Sequence, residues 1–324
     1  MTSHASLVRT GQLIADRYRL VEPLGGGGLG TVWLARDRAD DRLVAIKRCA
    51  LPEGLAPEAG DLFFAWTVHE ARELSRLGHP NVVRILDVIP DDEPWIVMQY
   101  VPSRSLQEVI DESGPLPPVR VAAIGLAMLD GLLAVRRAGL LHLDIKPGNV
   151  LIADDGRAML TDFGPAVTTD GLRALAAAGI VLGSPKYLAP ERLIDGIGLP
   201  ESDLWSVGAT LYYAVEGRPP FDRPTIDATL LAIAGERPDP PRQAGPLTGV
   251  LAGLLRHEPA DRLTAGEAGA ALSAIGVEPV ETPAAGAWRP GRPSRGRIGF
   301  AVLAAVVTAL LAVVTVLAQR PGGA

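Results

Sequence analysis

Residues 141–150 read LHLDIKPGNV. Asp144, Lys146 and Asn149 stand at relative positions 0, +2 and +5 inside an aliphatic frame broken by Pro147-Gly148. Polar groups set in such a frame need partners or a chemical use. The motifs on either side of the stretch indicate which.

The chain has 324 residues, enough for one large domain or two medium ones. With 48% hydrophobic but 5% aromatic residues, Ala, Val and Leu must carry most of the packing. A net charge of −6 and a pI near 5.5 argue against nucleic-acid binding, which needs a basic face. A single cysteine, Cys49, excludes an internal disulfide framework and a cysteine-rich zinc site, and fits a reducing compartment.

The first residues, MTSHASLVRTGQLIADRYRL, lack the apolar core of a signal peptide. Residues 298–318, IGFAVLAAVVTALLAVVTVLA, run for 21 residues without a charge. At about 1.5 Å per residue such a helix reaches roughly 30 Å, the thickness of a bilayer core. A single transmembrane helix is expected there, with a buried core helix as the alternative. Arg289, Arg292, Arg295 and Arg297 precede the span and only Arg320 follows. The positive-inside rule then makes the large preceding region cytoplasmic. On that expectation residues 319–324 would lie beyond the membrane as a short extracytoplasmic tail, too small for a sensor domain. Gly299 and the small-residue face of the span would permit helix contact in a homodimer.

Residues 279–297, PVETPAAGAWRPGRPSRGR, read as a Pro/Gly/Arg-rich juxtamembrane linker. The preceding region, 12–276, divides by pattern. Up to about residue 100 it carries strand-like runs, YRLVEPL, TVWLA, LVAIKR, VVRILDVI and WIVMQY. One helix interrupts them over roughly 61–77, with Val68, Ala71, Leu74 and Leu77 at helical spacing. From about 101 to 276 the pattern is mainly helical, as in VAAIGLAMLDGLLAVRRAG and DLWSVGATLYYAVEG. The expectation is an α+β, two-lobed chain with a small β-rich lobe, a larger helical lobe and a cleft between them, plus the C-terminal transmembrane helix.

LGGGGLGTVWLA contains Gly25, Gly27, Gly30 and Val32 in the spacing G-x-G-x-x-G-x-V. Glycines let backbone N–H groups approach an anion, although a run of four also makes a flexible turn. A dinucleotide loop would lead into a helix, but TVWLA reads as strand. The other common phosphate loop needs Lys-Ser/Thr after its last glycine, where Thr31-Val32 stands. What remains is strand, glycine turn, strand, with a lysine on the next strand. VAIK supplies Lys47, either a strand-edge lysine in solvent or a buried one needing a counter-charge or phosphate. Glu70 is the candidate partner. HEARE at 69–73 is not a zinc-protease motif, because position 73 is Glu.

Farther along come LTDFGPAV with Asp162, GSPKYLAPERL at 183–193 and SDLWSVGATLY at 202–212. Over about residues 12–275 the chain resembles bacterial eukaryotic-like serine/threonine protein kinases. The family's glycine loop, V-A-I-K, helix Glu, D-x-K-x-x-N, D-F-G, A-P-E and D-x-W-S-x-G occur in its order. The resemblance implies ATP as substrate with Mg²⁺ or Mn²⁺, and protein substrates bearing Ser or Thr. It implies Asp144 orienting the substrate hydroxyl, Lys146 on the transferring phosphoryl group, and Asn149 and Asp162 as metal ligands. It implies Lys47 on the α/β-phosphates and paired with Glu70, with Gly25, Gly27 and Gly30 over the phosphates. Gln99–Val101 would be the hinge to adenine, Met98 the gatekeeper, and Val32, Ala45 and Leu151 the ring's apolar sandwich. Glu191 with Arg262, and Asp203 beside the catalytic loop, would be structural.

The chain departs from the family at His142-Leu143-Asp144, where His-Arg-Asp is usual. Leucine cannot clasp a phosphorylated loop residue, so activity independent of Thr168 and Thr169 modification is expected. Pro165 follows the D-F-G motif, Ser184 stands where Thr is commoner, and 172–183 is unusually apolar. Alternative readings are a pseudokinase that scaffolds by conformation and a small-molecule phosphotransferase on the same fold.

Overall fold

The computed structural model describes residues 8–27, 30–51, 57–163 and 183–276. Gly164, Pro165, Thr168, Thr169, the 279–297 linker and the 298–318 span lie outside the described residues. The described residues form two compact units: one runs to His79 and resumes over Val83–Val101, while Pro80–Val82 and the described residues from Pro102 onward belong to the other.

The first unit is built on an antiparallel sheet. Strands β1 (Leu13–Ile14), β2 (Tyr18–Gly27), β3 (Gly30–Asp37), β4 (Leu43–Cys49), β5 (Ile85–Ile89) and β6 (Trp95–Gln99) lie in the order β1-β2-β3-β4-β6-β5. Trp33 opposes Ile46, which also opposes Val97, and Ala35 opposes Val44. Because side chains alternate along a strand, these share one face and form a core with Ile14, Tyr18, Leu20 and Trp95. The same alternation sends Val32, Leu34, Ala45, Lys47 and Met98 to the other face. The glycine run is itself strand: β2 continues to Gly27, with register shifts between Leu20/Glu22 and Pro23/Gly25.

Helix α1 (Pro57–Ser75) packs against β5. Its buried side chains include Phe63, Thr67, Glu70, Ala71 and Leu74. Of the four apolar residues at helical spacing over 61–77, Ala71 and Leu74 are buried and Val68 and Leu77 half-buried. Two polar residues, Thr67 and Glu70, are buried beside them; Thr67 offsets the cost by donating from Oγ1 to the Phe63 carbonyl at 2.8 Å.

The second unit carries a small sheet, β7 (Ser103–Ser105), β8 (Val150–Ala153) and β9 (Ala158–Leu160), beside a helical body. Its helices are α2 (Leu106–Ser113), α3 (Pro118–Arg137), α4 (Pro190–Ile194), α5 (Pro200–Glu216), α6 (Ile226–Gly235), α7 (Thr248–Leu254) and α8 (Ala265–Ser273). Ser105 starts α2 with a capping box closed by Glu108. Among the described residues α3, at mean hydropathy 1.7, is the one helix long and apolar enough to cross a membrane. It lies in the core, with Val121, Met128, Leu132 and Val135 buried. Gly125 lets α3 approach its neighbours: a Cβ there would stand 2.9 Å from Leu272 and 3.0 Å from Leu211. On α5, residues Ser202–Tyr212 and Ala214–Glu216 are buried, and Trp205 stacks on Phe221 at 6.0 Å.

A buried ion pair closes this unit. Arg262 donates from Nη1 and Nη2 to the two Glu191 oxygens at 2.7 Å each, and Ser202 donates to Oε1 at 2.6 Å. The guanidinium also meets the carbonyls of Glu201, Arg256 and His257 and sits over the Trp205 ring. Burial alone would push the Glu191 carboxyl up, but the Arg262 and Ser202 bonds outweigh it and hold it below the ordinary glutamate range. Folding therefore favours the ionised form. The pair's contribution is complete above the ordinary range and fades as pH falls through it. Glu191→Gln is expected to cost about 3–5 kcal/mol at neutral pH, since it strands a buried guanidinium. Its unfolding free energy should also depend less on pH than the wild type's between about pH 5 and pH 3. Denaturant titrations across that range would check both.

Candidate active site

The residues singled out in the sequence divide between the two units. In the first, Val32 opposes Lys47, and Ala45 opposes Leu34 and Met98, so Val32, Ala45, Lys47 and Met98 share a sheet face. Glu70 is 1% exposed, a burial that a carboxylate tolerates only with compensation. Gln99 ends β6, where its N–H donates to the Arg84 carbonyl at 2.8 Å, and Val101 closes the unit. The glycines are not equivalent. Gly30 has φ +128°, and a Cβ there would lie 1.9 Å from the Arg48 carbonyl oxygen, so the hairpin itself requires it. A Cβ at Gly25 would meet no atom within 4 Å, so packing does not demand that glycine. Gly27 pairs with Gly30 at the end of the ladder.

In the second unit the 141–150 stretch carries the chemistry. No regular element holds His142–Lys146; a buried carboxylate does. Asp203, at the start of α5, accepts from the His142 N–H and the Leu143 N–H, each at 2.8 Å. Leu143 has φ +62°, a region a branched side chain seldom enters. Its carbonyl accepts from Arg192 Nη1. His142 is wholly buried, and desolvation lowers its pKa and keeps the ring neutral. Its ring packs on Phe163 with centroids 4.4 Å apart.

Asp144 emerges from this frame with its carboxylate held by three donors. Lys146 Nζ donates to Oδ2 at 2.8 Å and Asn149 Nδ2 to the same oxygen at 3.0 Å, while Ser184 Oγ donates to Oδ1 at 2.9 Å. Lys146 also donates to Ser184 Oγ at 2.8 Å, closing a ring of Asp144, Lys146 and Ser184. Among the described residues Oδ2 thus receives two of these bonds and Oδ1 one, which leaves Oδ1 the better placed to accept another. Lys146 remains 31% exposed at its side chain, so its charge retains reach.

The Pro147-Gly148-Asn149 turn, a short 3₁₀ segment, brings Asn149 back beneath Asp144. Its Nδ2 also donates to the Asp144 and Asp162 carbonyls, at 2.8 and 3.3 Å. With the amide nitrogen so committed, Oδ1 is the side-chain atom through which Asn149 could serve as an oxygen ligand. Asp162, at φ +50°, stands at the turn after β9. No group of three or more His, Cys, Asp or Glu could hold a metal among the described residues. Two oxygen-bearing side chains nevertheless suit Mg²⁺, which keeps waters and substrate oxygens in its shell. Leu151 lies on β8, opposite Ser105 and Met159.

The structure thus gathers Asp144, Lys146, Asn149 and Asp162 in one place. Three neighbours were not foreseen as parts of it: Ser184, read only as a tolerated hydroxyl, Phe163 and Arg192. The signal for Arg192 was present as the second of two adjacent charges, Glu191 and Arg192, inside the otherwise apolar run LAPERLI.

Comparison with known proteins agrees with this geometry. Residues 18–271 match the family model described as the protein kinase domain. The chain is 37% identical over 278 residues to the serine/threonine-protein kinase PknL of Mycobacterium bovis, a match spanning 82% of this chain and 67% of that protein. It is 38% identical over 250 residues to the serine/threonine-protein kinase pkn2 of Myxococcus xanthus, spanning 75% and 30%. It is 33% identical over 235 residues to a probable serine/threonine-protein kinase PknB of Corynebacterium glutamicum, spanning 71% and 36%. With the family model matching most of its length and these motifs in place, the chain belongs to the protein kinase family, as an enzyme of its bacterial serine/threonine branch.

Proposed function

We propose that the chain transfers the γ-phosphoryl group of ATP to serine and threonine hydroxyls of proteins, from the cytoplasmic face of a membrane in which residues 298–318 anchor it. The observation that carries this reading is the ring of Asp144, Lys146 and Ser184, with Asn149 beneath it. Three donors fix the carboxylate's direction before any substrate arrives, as positioning catalysis requires.

In this reading Asp144 Oδ1 orients the substrate hydroxyl and takes its proton. The substrate oxygen forms a bond to the γ-phosphorus while the bond from that phosphorus to the bridging oxygen breaks, and ADP leaves. Lys146 places its ammonium against the phosphoryl oxygens, where charge accumulates in the transition state. Asn149 and Asp162 would hold the divalent cation, which when bound neutralises phosphate charge. Lys47, kept in line by Glu70, would contact the α/β-phosphates, and Gly25, Gly27 and Gly30 would cover them with backbone N–H groups. Val32, Ala45 and Leu151 would offer apolar surface to adenine, with Met98, Gln99 and Val101 at its edge. The GSPKYL and A-P-E segment resembles the family's platform for a protein acceptor, and Ser184 ties it to Asp144, which favours a protein substrate over a small molecule.

The deciding assay is transfer of labelled γ-phosphate by the full chain in detergent, with Mg²⁺ or Mn²⁺, to itself and to a generic protein acceptor. Label should appear with wild type and fall by at least about 100-fold with Asp144→Asn and Lys47→Met. ATP binding without transfer would instead support a scaffold that signals by conformation.

Leu143 is 3% exposed and its backbone is committed to Asp203 and Arg192. It offers no charge to a phosphorylated loop. Activity should therefore survive Thr168→Ala/Thr169→Ala, with kcat within about threefold of wild type; a loss of an order of magnitude in a folded protein would contradict this.

A chain ended at residue 280 should leave the membrane fraction and remain in solution, whereas the full chain sediments with membranes even in high salt. Equal partitioning of the two would remove the anchor from the reading.

A further inference from the structure

Arg192 follows the Glu191 of the buried ion pair, yet it has a different task. The residue is 5% exposed, an unusual depth for a guanidinium. From the start of α4 it reaches to the catalytic loop, where Nη1 donates to the Leu143 carbonyl. That carbonyl shares a rigid peptide plane with the N–H of Asp144. The opposite side of the same turn is already held, because Asp203 takes the N–H groups of His142 and Leu143. A carboxylate therefore grips the donors of this turn and a guanidinium grips its acceptor. The turn needs both, because Leu143 is a branched residue at φ +62°.

Gly183 shows that the chain makes room for the second grip. Its φ is +118°, and a Cβ there would come within 3.2 Å of both Arg192 Nη1 and the Leu143 oxygen. The segment that carries Gly183 also carries Ser184, whose hydroxyl bonds Asp144 Oδ1. The electrostatics agree: desolvation lowers the Arg192 pKa, while Asp203, Asp144 and Glu191 act in the other direction and favour its charge.

We propose that Arg192 is a positioning residue for phosphoryl transfer: by holding the Leu143 carbonyl it sets the plane from which Asp144 projects, and ties that plane to the Gly183–Ser184 acceptor segment. The inference deepens the kinase reading and rests on it. Arg192 is buried and acts through the Leu143 carbonyl, so its effect should fall on turnover rather than on nucleotide binding.

The test compares wild type, Arg192→Met and Arg192→Lys as full chains, by two readouts. The first is amide hydrogen exchange of a peptide covering 141–146, with one from α8 as the reference; it reads the clamp whether or not the protein is active. Arg192→Met should exchange faster at 141–146 and unchanged in α8. The second is steady-state kinetics: kcat should fall by about 10- to 100-fold with the ATP KM within about twofold, and Arg192→Lys, which keeps one donor, should recover part of the loss. Unchanged exchange at 141–146 would overturn the clamp. Faster exchange with unchanged kcat would overturn the positioning role. Faster exchange throughout the chain would mean a structural role only. Should Arg192→Met fail to fold, the lysine variant decides by the same criteria. A wild type that transfers no phosphate would sink the kinase reading alone, since the exchange data would still judge the clamp.

Discussion

One carboxylate organises the second unit's chemistry. Asp203 is buried at the head of α5 and accepts two backbone N–H groups from a turn with no ladder or helix to hold it. Burying that charge is costly, which pushes its carboxyl pKa up, and the cost is offset by hydrogen bonds that neutral side chains could not supply as well. Asp144 can hold a fixed direction because the residues before it are held in this way. The apolar frame of the 141–150 stretch is the outer side of the same arrangement: Leu141, Leu143, Ile145 and Val150 fill the core while the polar positions between them meet one another.

Much of this was legible in the sequence, for a physical reason. Phosphoryl transfer needs particular residue types at short spacings, and short spacings survive folding as contacts. Asp144, Lys146 and Asn149 are within five residues, and the Pro147-Gly148 turn leaves them little choice but to converge. Alternation along β3, β4 and β6 likewise places Val32, Ala45, Lys47 and Met98 on one face by register alone. The glycine hairpin followed from the strand character of its flanks.

What was not legible depends on distance in the chain. Ser184 reaches Asp144 across 40 residues and Arg192 reaches Leu143 across 49, and no local pattern announces such pairs. On α1 the burial of Thr67 was not legible either, because apolar spacing gives no weight to a hydroxyl that bonds back to its own helix. The strand expected over 82–89 begins only at Ile85, because Val82 is drawn away to bridge Leu160. The alternative weighed for residues 298–318, an apolar core helix, is realised elsewhere: α3 has a spanning helix's hydropathy, and its neighbours in the fold supply the apolar surroundings.

The displaced segment has a consequence for how the chain can be divided. Asn81 accepts the Leu160 N–H at 2.8 Å and donates to the Ala158 carbonyl at 2.9 Å, while Val82 bridges Leu160 in parallel. Two residues that precede the last strands of the first unit, Asn81 and Val82, therefore cover the outer edge of β9. A fragment begun at Pro102 would release that edge with its backbone groups unpaired, a template for strand addition by another copy. The helical half of this protein is thus not a separable module. Its solubility is inherited from a piece of chain encoded before it, so shuffling or expressing that half alone invites aggregation through β9 rather than loss of the helical core.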